Sequence, residues 1–197
     1  MFWINFFIKI KEIFDLFSDS IFELIKFLEP HFSKKNLFFV DKIHSPQNSE
    51  CIDAFSLFEK AVEKNLSAYY LISTKNPKYN IIKKQYKNKI IEYNNIIHIK
   101  HFFKFLQLSK LITAYEFNSP YNNWIYNSPR MDLIFLQHGI ILLKNNIFDI
   151  YNQQEFNKIL ISNDFEKDIV INFGKFEEKN LIKATLPRFD YLKKEKI

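Results

Sequence analysis

Residues 132–139 read Asp-Leu-Ile-Phe-Leu-Gln-His-Gly, an apolar run that ends abruptly in a histidine and a glycine. Runs of this kind are typical of parallel sheets, whose strands are buried on both faces by crossover helices. Ligands bind such sheets in the crevice beyond the carboxyl ends of the strands, and His138 directly follows this strand. The stretch therefore predicts both a fold class and the place of a functional site.

Further apolar runs alternate with helical patterns along the chain. The predicted strands are 37–40, 68–72, 89–93, 110–114, 133–137, 158–162 and 181–185, and the predicted helices are 49–64, 77–86, 97–108 and 164–173. This alternation predicts crossover units and hence an α/β domain with a doubly wound, mostly parallel, Rossmann-like sheet. Asn163 and Glu166 form a capping-box pattern at the start of the last helix, and Gly174 follows its last apolar residue.

The N-terminal 35 residues predict one or two amphipathic helices ahead of the sheet, because apolar residues recur there at steps of three and four. Charges at Lys9, Lys11, Glu12 and Asp15 interrupt the segment, so it does not predict a membrane span. Two placements remain open. In the first placement the segment lies flat in a membrane interface, and in the second it packs on the domain or on a partner.

Composition excludes several classes of protein. Cys51 is the single cysteine, so an internal disulfide and a cysteine-based metal site are excluded and a reducing compartment is expected. Gly139 and Gly174 are the only glycines, which excludes glycine-rich phosphate loops. His98 and His101 lack a third ligand nearby in the sequence, so we expect neither a metal nor a cofactor.

Positive charge is concentrated in the middle of the chain, where residues 75–110 hold nine lysines and one glutamate. This pattern has two interpretations. It is a solvated surface, or it is a positive face that meets lipid headgroups, a phosphate polymer or nucleic acid.

Candidate site residues follow the predicted strands. His138 and Gly139 form a turn where a glycine indicates either a sharp bend or the close approach of a ligand. Asp41 ends the first strand, and Asn163 begins a helix whose free N–H groups would suit an anion. Structural roles are the alternative: His138 would merely end a strand, and Asp41 would cap the next helix.

Several blocks occur in a recognisable order. They are Phe-Phe-Val-Asp-Lys at 38–42, Ala-Tyr-Tyr-Leu-Ile-Ser at 68–73, Phe-Leu-Gln-His-Gly-Ile at 135–140, Lys-Ile-Leu-Ile-Ser at 158–162 and Leu-Pro-Arg-Phe-Asp at 186–190. Together they resemble the acceptor-side domain of the CDP-glycerol glycerophosphotransferases, the family of teichoic acid and capsule polymerases. The likeness spans about residues 36–192. It departs from the family's "G-x-PR-x-D" signature at Thr185, where the family usually has glycine.

The resemblance implies one half of a GT-B fold and a transferase activity. His138 would be the general base toward a hydroxyl of the acceptor, and the activated oxygen would attack the β-phosphate of CDP-glycerol and release CMP. Gly139, Asp41, Asn163 and Arg188 are the expected binding residues. The family's second domain, which binds the CDP moiety, is expected to be missing here or supplied by another chain, so this chain alone would not complete the reaction.

We expect three parts: an N-terminal helical segment 1–35, the Rossmann-like domain 36–192, and a tail or truncated linker 193–197. The expected partners are CDP-glycerol and a polyol-phosphate or polysaccharide acceptor. A lipid-linked acceptor and one without a lipid both remain open. The expected location is the cytoplasm. Peripheral association with the inner face of the cell membrane is an open alternative. Two other functions remain open: a non-catalytic binding module of the same fold, and another α/β protein whose lysines contact nucleic acid.

Overall fold

The computed structural model describes residues 28, 31–40, 53–92, 101–114, 131–137, 156–174, 176–187 and 189. The strands are β1 (Asn36–Val40), β2 (Ala68–Ile72), β3 (Ile90–Glu92), β4 (Leu108–Thr113), β5 (Asp132–Phe135), β6 (Lys158–Ile161) and β7 (Leu181–Lys183). The α-helices within these ranges are α1 (Asp53–Glu63), α2 (Tyr79–Gln85), α3 (Phe102–Leu106) and α4 (Asp164–Gly174). Short 3₁₀ turns at Lys87–Lys89 and Glu178–Asn180 lead into β3 and β7.

The strands form one sheet in the order β3-β2-β1-β4-β5-β6-β7, and every neighbouring pair is parallel. The chain builds outward from β1 to β3 and then returns to place β4 on the other side of β1. Such a reversal of strand order is the topological switch point at which parallel sheets bind ligands. The predicted doubly wound α/β fold is confirmed, and its switch point lies between β1 and β4.

Hydrophobic side chains fill both faces of the sheet. Phe38 and Val40 of β1 pack into one core with α3 and α4, whereas Phe39 points into a second core with α1 and α2. This alternation follows from the strand period of two residues. Because both faces are covered by helices, the strands show the near-continuous apolar runs that are visible in the sequence.

Most strands and helices have ends that differ from the predicted ones, and the largest differences surround β4 and β5. Within the described part of the predicted helix 97–108, the helix covers Phe102–Leu106, and β4 starts two residues before the predicted 110, at the fully buried Leu108. The register between β1 and β4 shifts at Asn36, whose carbonyl accepts a hydrogen bond from Ser109 Oγ (2.9 Å). Finally, β5 ends at Phe135 and not at the predicted 137, because the backbone turns at Gln137.

Several predictions fall outside the described residues. They are the N-terminal helices other than Leu28, which is helical and packs on the sheet core, the start of the helix predicted from 49, and the tail 193–197. Among the helices that the structure does describe, none has the length and apolar character needed to cross a bilayer.

The amino edge of the sheet carries an ion cluster centred on Asp132. Its Oδ2 accepts hydrogen bonds from Lys110 Nζ (2.5 Å) and Lys158 Nζ (3.0 Å) on the two neighbouring strands. Partial burial raises the pKa of the Asp132 carboxyl, but the bonds from the two lysines outweigh this, so the pKa lies below its ordinary value. The cluster joins three strands at the edge opposite to the switch point.

We expect this cluster to stabilise the fold in a pH-dependent way. Because the folded pKa of Asp132 is lowered, its contribution is present above the unfolded pKa of about 3.9 and is lost as the pH falls through the folded value. Asp132→Asn should therefore lower the free energy of unfolding by about 0.5–1 kcal/mol at pH 7 and by little at low pH. Urea denaturation at several pH values measures this. Glu178→Gln, at an exposed ion pair with Lys167, is the control and should change stability less. An Asp132→Asn effect independent of pH would contradict the assignment.

Candidate functional site

Parallel pairing brings the ends of β1, β4 and β5 to one edge. Val40 is paired with Thr113, and Thr113 is paired with Phe135, so the carboxyl ends of β1 and β5 flank the end of β4. In the sequence, Asp41 directly follows Val40, and His138 and Gly139 directly follow Gln137. Asp41, His138, Gly139 and Arg188 lie outside the described residues. Their roles remain predictions, which rest on their positions in the sequence after strands of the sheet.

The backbone makes its turn at Gln137. The N–H of Leu136 still donates to the carbonyl of Thr113 (2.8 Å), so pairing with β4 continues through that residue. Gln137 then adopts a φ of 62°, in the left-handed region, with only 2% of its surface exposed. For a residue with a Cβ this conformation costs roughly 1–2 kcal/mol. A turn is thus made two residues before Gly139, and the prediction for Gly139 itself lies outside the described residues.

The side chain of Gln137 holds this turn in place. Its Nε2 donates to the carbonyl of Leu160 on β6. Carbonyls along a strand point alternately to its two neighbours, and that of Ile161 accepts from Ala184 beyond β7, so that of Leu160 faces β5. The Gln137 amide therefore occupies the place of the backbone donor that a longer β5 would have supplied.

The other non-glycine residue with positive φ in the described ranges, Asn65, has an ordinary explanation. Asn65 (φ 56°) ends α1 in a Schellman motif, in which its N–H bonds to the carbonyl of Val62 and that of Leu66 bonds to Ala61 (both 2.9 Å). Asparagine is common in such caps. Gln137 instead follows a strand and does not end a helix. Strained residues of this kind cluster at functional sites, which draws attention to the segment that it precedes.

Asn163 is the predicted site residue whose contacts the structure describes. Its Oδ1 accepts from the N–H of Glu166 (2.8 Å), which confirms the predicted N-cap of α4. The buried Glu166 carboxylate accepts from Ser162 N–H (2.6 Å) and Oγ (2.7 Å) and not from Asn163 itself, a variant of the capping box. Asp164 adds a second carboxylate to this turn, and its pKa is lowered by the hydrogen bond from Lys183. Two carboxylates already complement the helix dipole here, which disfavours an additional anion.

We expect Asn163→Ala to reduce stability without affecting chemistry at the switch point. Loss of the N-cap should lower the free energy of unfolding by about 1 kcal/mol, measured by urea denaturation. Asn163→Asp keeps the acceptor oxygen and should retain most of that stability. If both variants unfolded at the same lower urea concentration, the cap would not be the reason.

The remaining polar candidates are His98 and His101, of which the structure describes His101. His101 is buried (6% exposed) at the start of α3, which enters the sheet at its amino edge, and His98 is outside the described residues. No cluster of three or more His, Cys, Asp or Glu residues that would suit a metal ion occurs in the described part of the chain.

Several lysines of the positive region have structural contacts. Hydrogen bonds from Lys83 Nζ to Glu92 and to the Tyr79 hydroxyl (both 2.8 Å) raise the pKa of Lys83. Lys104 Nζ lies 4.4 Å from the centre of the Tyr69 ring, on which Lys89 also stacks at 5.7 Å. These contacts favour the interpretation of this region as a structured, solvated surface over that of a dedicated anion site.

Two residues at the switch-point edge were missed by sequence reasoning. Gln137 is one, since glutamine gives no signal for a left-handed turn. Asp53 is the other: its carboxyl is fully buried in the first turn of α1, which follows β1. The pattern predicted only a helix that begins near Ser49, and it gave no signal that the Asp53 carboxyl would be buried.

A seven-stranded parallel sheet with helices on both faces defines the Rossmann-like α/β class and matches one half of a GT-B fold. Among solved structures, the fold is similar to that of the wall teichoic acid polymerase TagF. A histidine-to-alanine variant of TagF matches with a TM-score of 0.60 at 12% identity, covering 94% of this chain and 47% of that chain. A histidine-to-asparagine variant soaked with CDPG matches with a TM-score of 0.58 at 12% identity, covering 94% and 49%.

The chain thus spans about half the length of these structures. No protein-family model matches the chain, and no curated protein matches its sequence. At this level of identity, the similarity establishes the fold.

Proposed function

We propose that this chain is the acceptor-side half of a glycerophosphotransferase that transfers glycerol phosphate from CDP-glycerol to a hydroxyl of a polyol-phosphate or polysaccharide acceptor. The observation that carries the proposal is the strained, buried turn at Gln137 beyond the carboxyl end of β5, and His138 and Gly139 are the next two residues in the sequence. Support also comes from the similarity to a wall teichoic acid polymerase, one structure of which was soaked with CDPG.

In the proposed mechanism, the His138 imidazole accepts the proton of the acceptor hydroxyl. The oxygen forms a bond to the β-phosphorus of CDP-glycerol, and the bond from that phosphorus to the bridging oxygen of CMP breaks. An unperturbed imidazole has a pKa of about 6.5, so a large fraction is neutral and able to accept a proton at physiological pH. Asp41 and Arg188 are proposed to help bind the acceptor and phosphate groups around this histidine.

The proposed reaction needs a nucleotide-binding half, since this chain spans only about half of the polymerase structures. In the test, the chain is fused to such a half, or mixed with it, and CMP release from CDP-glycerol is measured with and without a glycerol-phosphate oligomer. Acceptor-dependent CMP release is the expected result. Binding of the oligomer without any CMP release would favour the non-catalytic binding module instead.

A further inference from the structure

Gln137 combines three properties that the fold alone does not require together. It is almost completely buried, its backbone is left-handed, and its side-chain amide bonds to a carbonyl on the neighbouring strand. Glycine or asparagine would make the same turn with less strain. A turn chosen only to end a strand would not need glutamine.

The hydrogen bond to Leu160 explains how glutamine is tolerated here. A buried amide hydrogen bond contributes stability of the same order as the cost of a left-handed backbone at a residue with a Cβ, so the bond offsets much of that cost. Asparagine is one methylene shorter and would not reach the same carbonyl from the same backbone position. The left-handed turn at residue 137 is therefore stabilised only by a side chain that has both the length and the amide group of glutamine.

The consequence concerns the direction of the chain as it leaves the sheet. Backbone pairing to Thr113 fixes Leu136 from the side of β4, and the side-chain bond to Leu160 fixes Gln137 from the side of β6. The peptide that enters His138 thus starts from a point anchored on both neighbouring strands. An anchored exit restricts the orientations open to the next side chain, and displacing a catalytic group by about 1 Å can cost 10²-fold in rate.

We infer that Gln137 is a positioning residue that orients His138 through its left-handed backbone and its bond to Leu160. The inference rests on the proposed function, because it assigns the purpose of the strained turn to the histidine of that site. Gln137 itself touches neither substrate nor reacting atoms in this assignment.

The test compares Gln137→Gly with Asn65→Ala. Glycine adopts a φ of 62° without strain, so Gln137→Gly keeps the turn accessible but removes the anchor to Leu160. Asn65→Ala replaces a residue that tolerates the left-handed region by one that tolerates it less, at the other left-handed position among the described residues, and so lowers stability at the opposite edge of the sheet, away from the proposed site. In the chain combined with a nucleotide-binding half, we expect Gln137→Gly to lower kcat for CMP release about 10²-fold with KM within about twofold. Asn65→Ala should leave both constants at the wild-type value.

A second measurement tests the role of Gln137 without requiring CMP release. The imidazole C2–H signal of His138, assigned by its absence in His138→Ala, is recorded by NMR in the unmodified chain and in both variants. We expect it to move in Gln137→Gly and to stay in place in Asn65→Ala. An unmoved signal, or an equal loss of kcat in both variants, would overturn the inference. Absence of CMP release in the wild-type assembly would refute the proposed function, and the NMR comparison would then decide the role of Gln137.

Discussion

His138→Ala lowers acceptor-dependent CMP release by about 10²- to 10⁴-fold, the range that a general base typically contributes. The expectation follows from the proposed function and from the sequence, in which His138 directly follows the anchored turn at Gln137. Without the imidazole, the acceptor hydroxyl must lose its proton to water. Initial rates of CMP release at saturating CDP-glycerol measure the effect, which should appear in kcat and leave acceptor binding nearly unchanged.

His31→Ala is the matched control for this experiment. His31 is exposed and precedes β1, at the amino edge of the sheet. Its removal should leave CMP release and stability unchanged. If His138→Ala turned over as fast as His31→Ala, the general-base role of His138 would be wrong.

Phe38→Ala lowers the free energy of unfolding by about 3–5 kcal/mol, the usual result of emptying a fully buried phenylalanine site. Phe38 is 0% exposed in the strand next to the switch point. Its ring packs edge-on against Phe105 at 4.7 Å and against Tyr69 at 5.7 Å, which ties α3 and β2 to β1. Urea denaturation followed by far-UV circular dichroism measures the loss.

The control for Phe38→Ala is the same substitution at a phenylalanine on the surface. Phe165 on α4 is 57% exposed, so Phe165→Ala should change stability by no more than about 0.5 kcal/mol. A change of less than about 1 kcal/mol for Phe38→Ala would mean that β1 does not pack as the structure shows.

The sheet could be predicted from the sequence because burial on both faces leaves apolar runs of strand length. The run at 68–72 was predicted with the bounds that β2 has, and the predicted start of α4 at Asp164 is observed. The cap at Asn163 was also visible, since the residues that form it are only three positions apart. Local patterns sufficed where local contacts decide the structure.

Long-range contacts set the features that the sequence did not show. The turn at Gln137 involves a bond to Leu160, 23 residues away, and glutamine gives no local turn signal. Asn36 likewise pairs with Leu108 at the early start of β4, and its Nδ2 donates to the Lys104 carbonyl (2.8 Å) while its Oδ1 accepts from Ser67 Oγ (2.8 Å). Neither polar side chain carries a turn or strand signal of its own.

The central claim is that the imidazole of His138 lies at the open carboxyl edge of the sheet and not within a core. Hydrogen–deuterium exchange at the histidine C2 position, read by mass spectrometry on the unmodified chain, tests this most directly. The chain contains its own references, since His31 is exposed and His101 is 6% exposed. We predict that His138 exchanges at a rate close to that of His31. Exchange as slow as that of His101 would place the ring in the interior and contradict the proposed site.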